Sequence, residues 1–107
     1  MPGVIEISEK DFEREALQSE MPVLAYFQSE WCPTCKAVNP VVEVFRPSYE
    51  GRVKFIKVDT IKSPKIAADH TVFSTPTLII FKNGKEVNRN IGFISENNFK
   101  TFLDANV

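Results

Sequence analysis

The chain has 107 residues, 43% of them hydrophobic and nine of them phenylalanine, which is enough for one core and too little for two, so a single domain over residues 1–107 is expected. Thirteen basic against fourteen acidic side chains leave a formal charge of -1, without the basic footprint that binding to nucleic acid or an anionic membrane requires. No apolar run approaches the roughly 20 residues of a membrane span, and residues 1–10 lack a basic stretch followed by an apolar one, so a cytoplasmic protein is expected.

In chain order, residues 4–7 (Val-Ile-Glu-Ile) read as a short strand. Ser8, with Asp11 three residues on, has the look of an N-cap with a capping-box partner, and Ile7 and Phe12 are spaced as a hydrophobic staple. A first helix is predicted over residues 8–20, with Pro22 just beyond its end. Residues 23–27 (Val-Leu-Ala-Tyr-Phe) are apolar throughout, the pattern of an interior strand covered on both faces. Behind it Cys35, Val38, Val42 and Phe45 recur at helical spacing, with Pro40 predicting a kink and Pro47 and Gly51 the close. Residues 52–59 read as a strand, and Ser63-Pro64 opens a short helix to about Asp69. Residues 77–81 and 86–92 form two antiparallel edge strands joined by a tight Asn83-Gly84 hairpin. Ser95 caps a last helix with Phe99, Phe102 and Leu103 on one stripe. The alternation of strands and helices argues for a mixed sheet with crossover helices.

The chemistry is concentrated between the second strand and the second helix, in Trp31-Cys32-Pro33-Thr34-Cys35, which holds both cysteines of the chain. A close pair in a reducing compartment is catalytic or metal-binding rather than part of a disulfide framework. With Cys32 at the helix N-cap and Pro33 at the first helical position, the Cys32 sulfur meets the positive end of the helix, which favours the thiolate. Cys32 is therefore the candidate nucleophile, and Cys35, one turn inward on the apolar face, the candidate resolving cysteine. A zinc site needs two further ligands where His70 is the only histidine, so no metal is expected. Two inert buried cysteines, or a glutathione-linked or cluster-holding redox module, share the same pair and stay open as alternatives.

Glu30-Trp31-Cys32-x-x-Cys35-Lys36, Pro40, Asp59, Thr75-Pro76-Thr77, Phe81-Lys82-Asn83-Gly84 and Gly92 together resemble the thioredoxin family, nearly end to end. The resemblance implies an α/β thioredoxin fold, with a central mixed sheet of four to five strands flanked by four helices. It implies a cis Thr75-Pro76 peptide facing Cys32, with Trp31, Pro33, Thr34 and Pro76 supporting the site. An apolar docking rim of Trp31, Thr75, Ile91, Gly92 and Phe93 would receive protein disulfide substrates. A thioredoxin-reductase-type flavoprotein or another dithiol would supply electrons to a monomer with no cofactor of its own. A thioredoxin-fold binding module with little turnover is the non-enzymatic alternative.

Departures from the family pattern carry their own expectations. Pro33-Thr34 stands where Gly-Pro is usual, so Thr34 offers a backbone N–H towards the Cys32 sulfur. A hydrogen bond to a charged group contributes about 1.5–3 kcal/mol, which predicts a lower thiol pKa and a less reducing pair than an ordinary thioredoxin's. Tyr26 aligns with the family's buried aspartate and Phe55 with its buried lysine, so both members of that pair are expected to be missing. The loss of both is coherent, because a lone buried charge is costly, and it removes the base that deprotonates Cys35. Gln28 replaces an aromatic behind the site, and Ser74-Thr75 makes the rim more polar than the usual Gly-Ile.

Overall fold

A computed structural model describes residues 4–107. Five strands form one mixed sheet in the order β1-β3-β2-β4-β5. They are β1 (Ile5–Glu6), β2 (Val23–Gln28), β3 (Lys54–Asp59), β4 (Thr77–Lys82) and β5 (Lys85–Ile91). β1 and β2 run parallel to β3, while β4 is antiparallel to both β2 and β5. Only β5 of the predicted hairpin pair is an edge strand, because β4 lies between β2 and β5. Among the described residues no helix is long and apolar enough to cross a membrane.

Every residue of β2 is buried, and its alternation divides the interior in two. Leu24 and Tyr26 face α2 (Pro33–Phe45) and α4 (Glu96–Asn106), where Val38, Val42, Phe99 and Leu103 pack. Val23, Ala25 and Phe27 face the opposite layer, built from Phe12, Ala16, Ile66 and Ala67 of α1 (Glu9–Phe12, continuing as a π-helical turn Glu13–Leu17) and α3 (Pro64–Asp69). An apolar run with no polar alternation can be buried only in this way, with helices on both sides.

The first helix departs from its predicted span. It begins at Glu9 and ends at Leu17 in the π turn, closed by the Gln18 N–H on the Glu13 carbonyl. Ser8 has the extended backbone of an N-cap, but its hydroxyl donates to the Asp11 carboxylate at 3.2 Å and caps no backbone N–H. At the other end the β4–β5 turn sits against the helix. Asn83 and Gly84 both have positive φ (55° and 78°), and a Cβ on Gly84 would lie 2.8 Å from the Leu17 carbonyl oxygen, so the turn requires glycine on two counts. Pro40 leaves α2 a single element, which gives way at Arg46 to a 3₁₀ turn, Arg46–Tyr49. Ser95 caps α4 as expected, accepting the Asn98 N–H at 3.2 Å.

α3 ends in a Schellman arrangement. The Val72 N–H reaches the Ala67 carbonyl at 2.8 Å and the Thr71 N–H the Ala68 carbonyl at 3.1 Å, with Thr71 at φ 53°. Glycine is the usual residue here, because a left-handed conformation costs an L-residue about 1–2 kcal/mol and a β-branched one more. Part of that cost is offset by the Thr71 hydroxyl, which donates to the His70 carbonyl at 2.6 Å from an exposed position. Thr71→Gly should raise stability by about 0.5–1 kcal/mol after the extra chain entropy of glycine, and the Tm by a few degrees, in a thermal melt followed by circular dichroism.

Candidate active site

α2 begins where β2 leaves the sheet, after a three-residue loop that ends at Trp31. Cys32 has the extended backbone of an N-cap (φ -100°, ψ 108°), Pro33 takes the first helical position, and Cys35 takes the third. The two sulfurs are joined as a disulfide. Cys32 keeps a small opening to solvent, at 9%, whereas Cys35 is sealed at 1%. The Cys32 Sγ accepts the backbone N–H of Cys35 at 3.1 Å, so the sulfur does what a serine or aspartate oxygen does at an ordinary N-cap. In this disulfide state the Thr34 N–H makes no hydrogen bond to the sulfur. An N-cap side chain can reach either the second or the third helical N–H, and here it takes the third, which belongs to Cys35.

Across from the cysteines, the Thr75-Pro76 peptide is cis, and the Thr75 carbonyl oxygen lies 3.4 Å from Cys32 Sγ. In the disulfide state the sulfur carries no proton, so this is a close approach and not a hydrogen bond. The Pro76 carbonyl accepts the Gly92 N–H at 2.8 Å, and Ile91 pairs with Thr77 in the β4–β5 ladder. Measured contacts thus bring Cys32, Cys35, Thr75, Pro76 and Gly92 together. Trp31 (79% exposed), Ile91 (63%) and Phe93 (59%) stand open at the surface, as do Pro33 and Thr34.

Beneath the pair, Tyr26 is buried on the α2 side of β2, and its hydroxyl lies 3.1 Å from the Cys35 carbonyl oxygen and close to Oδ1 of Asn39. One phenolic proton cannot serve two acceptors. The network closes when the Asn39 amide is turned so that Nδ2 donates to the phenol while the phenol donates to Cys35. Asn39, four residues after Cys35 on α2, escaped the sequence reading, although that spacing alone puts it on the same helix face. Burial pushes the Tyr26 phenol well above its ordinary pKa, so it stays neutral and cannot take a proton from Cys35 as an aspartate would.

The expectation for Phe55 also changes. In the β2–β3 ladder Phe55 is the partner of Leu24, while the partner of Tyr26 is Lys57. Phe55 stacks with Tyr49 and Phe99 in the core, and a half-buried lysine occupies the place beside Tyr26. A neutral phenol in this place forms no ion pair with the lysine, as a carboxylate there would.

The thioredoxin family's sequence profile matches residues 3–105. The chain belongs to the thioredoxin family. Thioredoxin 1 of Nostoc sp. is 34% identical over 107 residues, all of both chains. The thioredoxin of Synechocystis sp. is 36% identical over 104 residues (97% of each chain), and thioredoxin C-2 of Corynebacterium nephridii is 32% identical over 104 (97% of this chain, 96% of the other). As a thioredoxin-family member the chain is a thiol–disulfide oxidoreductase of the protein-disulfide reductase type, carrying a Cys-x-x-Cys redox pair. Its disulfide-forming geometry at the head of α2 is what that chemistry requires.

Tyr26→Phe should cost about 1 kcal/mol, the usual net worth of one buried hydrogen bond, read as a lower urea midpoint with an unchanged slope. Asn39→Ala should cost less, because Asn39 is exposed and the phenol keeps the Cys35 carbonyl.

Proposed function

We propose that Cys32 is the attacking cysteine and Cys35 the resolving one in the reduction of protein disulfides. The observation that carries this reading is the N-capped Cys32 Sγ, held by the Cys35 N–H and open to solvent while Cys35 is sealed behind it. The Cys32 thiolate attacks one sulfur of the substrate disulfide. The substrate S–S bond breaks, a mixed disulfide forms, and the departing thiolate takes a proton from solvent. Cys35, once deprotonated, attacks Cys32 Sγ and breaks the mixed disulfide. The Cys32–Cys35 bond closes and the second substrate thiolate leaves. Two electrons pass to the substrate, and a dithiol donor of the thioredoxin-reductase type returns them.

Trp31, Thr75, Ile91, Gly92 and Phe93 form the rim against which the substrate docks. Three of them are exposed apolar side chains, and Thr75 adds the backbone beside Cys32. With no aspartate behind Cys35, resolution is slow and the mixed disulfide persists. The decisive experiment supplies electrons to an insulin reduction assay from a thioredoxin reductase or from glutathione, with Cys32→Ser and Cys35→Ser as variants. Reduction driven by the reductase, abolished by either change, is expected. The Cys35→Ser protein should hold substrates covalently through Cys32, and covalent capture by the Cys32→Ser protein instead would reverse the two roles.

The poise of the pair is less reducing than that of thioredoxins with Gly-Pro between the cysteines. Thr34, at the second helical position, keeps a backbone N–H that proline there would lack, and this donor makes no hydrogen bond in the disulfide state. It is available when reduction places a charge on Cys32, where a hydrogen bond stabilises the reduced form. Each 1.4 kcal/mol of such stabilisation raises the two-electron potential by about 30 mV. Thr34→Pro should therefore become more reducing by about 30 mV when equilibrated with glutathione. An unchanged potential removes Thr34 from the account.

A further inference from the structure

β5 is an edge strand, yet two of its charged side chains are turned towards α3. The cause is one extra residue. In the β4–β5 ladder Ile80 pairs with Asn88 and Phe81 with Glu86, which leaves Val87 unpaired as a bulge. In a regular strand Glu86 and Arg89, three residues apart, would point to opposite faces. The bulge puts both on the face of their partners Phe81 and Ile79, in the layer that holds α3.

There the Arg89 guanidinium makes four hydrogen bonds. Nε and Nη2 donate to the Glu86 carboxylate at 2.6 and 2.7 Å. Nη2 also donates to the His70 carbonyl at 2.8 Å, and Nη1 to the Thr71 carbonyl at 3.3 Å. The side chain is 21% exposed, and its fork spans two consecutive carbonyls in a way that the single ammonium of a lysine cannot reproduce. Its target is the end of α3, where the helix dipole favours a cation.

The two carbonyls belong to the residues that redirect the chain towards the cysteines. Thr71 is the β-branched residue at φ 53°, a conformation that its own preference opposes. From Val72 to Pro76 no residue lies in a helix or a strand. That segment ends at the cis Thr75-Pro76 peptide, with the Thr75 carbonyl oxygen 3.4 Å from Cys32 Sγ. β5 grips it at both ends, through Arg89 at the start and through the Gly92 N–H on the Pro76 carbonyl. The His70 ring, against Phe12 and Phe81 at 5.1 and 5.4 Å, anchors the residue before the turn, so the guanidinium sets the direction in which the chain leaves it.

We propose that Arg89, oriented by Glu86, is a positioning residue for the reduction of protein disulfides: it holds the strained turn at Thr71 so that the Thr75 backbone stands beside Cys32 for an extended substrate. The proposal rests on the reductase reading above and adds to it a residue that acts through the segment 71–76 and makes no hydrogen bond to either cysteine.

The test compares the wild type, Arg89→Lys, Thr71→Gly and the double variant. Each is reduced and mixed with oxidised insulin or with bis(2-hydroxyethyl) disulfide, a neutral reagent too small to need a docked backbone. Arg89→Lys keeps the charge and removes the fork. Its second-order rate constant with insulin should fall about fivefold, the scale of one lost hydrogen bond, while that with the small disulfide stays at the wild-type value. Thr71→Gly relieves the turn, so it should react with insulin as the wild type does and should restore most of the loss when combined with Arg89→Lys. A residue that only stabilised the fold would not separate the two disulfides. An unchanged insulin rate in Arg89→Lys, an equal loss with both disulfides, or a double variant as slow as Arg89→Lys overturns the positioning role and leaves the reductase reading standing. A wild type that reduces the small disulfide but not insulin overturns both.

Discussion

Much of this structure follows from the burial of β2 on both faces. Six consecutive residues with no exposed side chain need a helix layer on each side, and the resulting two-sided core fixes where the chain can emerge. It emerges at Ser29 beside the C-terminal end of β3, where Thr60 donates its N–H to the Gln28 carbonyl at 3.0 Å. Reactive groups in open α/β sheets gather just outside the carboxyl ends of strands. The loop there turns directly into α2, so the first turn of that helix, with its unpaired N–H groups, meets the surface at the same point. Placing Cys32 at the cap is then enough to give its sulfur a backbone donor and a favourable dipole.

The features legible in the sequence are those set by local rules. The unbroken apolar run of β2, proline at the first position of α2 and α3, the Asn83-Gly84 turn and the Ser95 cap each carry a residue whose conformation or hydrogen bonding admits little else. The cysteine spacing also settles its own chemistry, since an N-cap and the third helical position bring two sulfurs within bonding reach. The end of the first helix was not legible, because it is set by a turn some 65 residues later in the chain, where Gly84 packs on the Leu17 carbonyl.

The same division runs through the active site. Which N–H reaches the Cys32 sulfur depends on the exact pitch of the first helical turn, and a spacing rule leaves the second and third positions equivalent. The neighbour of Tyr26 depends on strand register, and an offset of two residues keeps the sheet face while changing the partner from Lys57 to Phe55. A groove beside the cysteine pair, lined among others by Ile61, Phe73 and Thr75, was missed for another reason. Phe73 and Ile61 lie outside any periodic segment, and exposed apolar residues in loops stand out only when the fold shows them sharing one wall-to-wall concavity.

On the cycle proposed above, Tyr26 bears on where the proton of Cys35 goes, not only on how fast it leaves. Tyr26 is held neutral by burial, and its hydroxyl faces the Cys35 carbonyl oxygen, an acceptor with no proton to exchange. No carboxylate among the described residues bonds to Tyr26 or to Cys35. The way out to solvent is on the Cys32 side, since Cys32 keeps a small exposure while Cys35 is sealed. On the cycle proposed above, resolution is therefore tied to the substrate that covers the Cys32 side of the site.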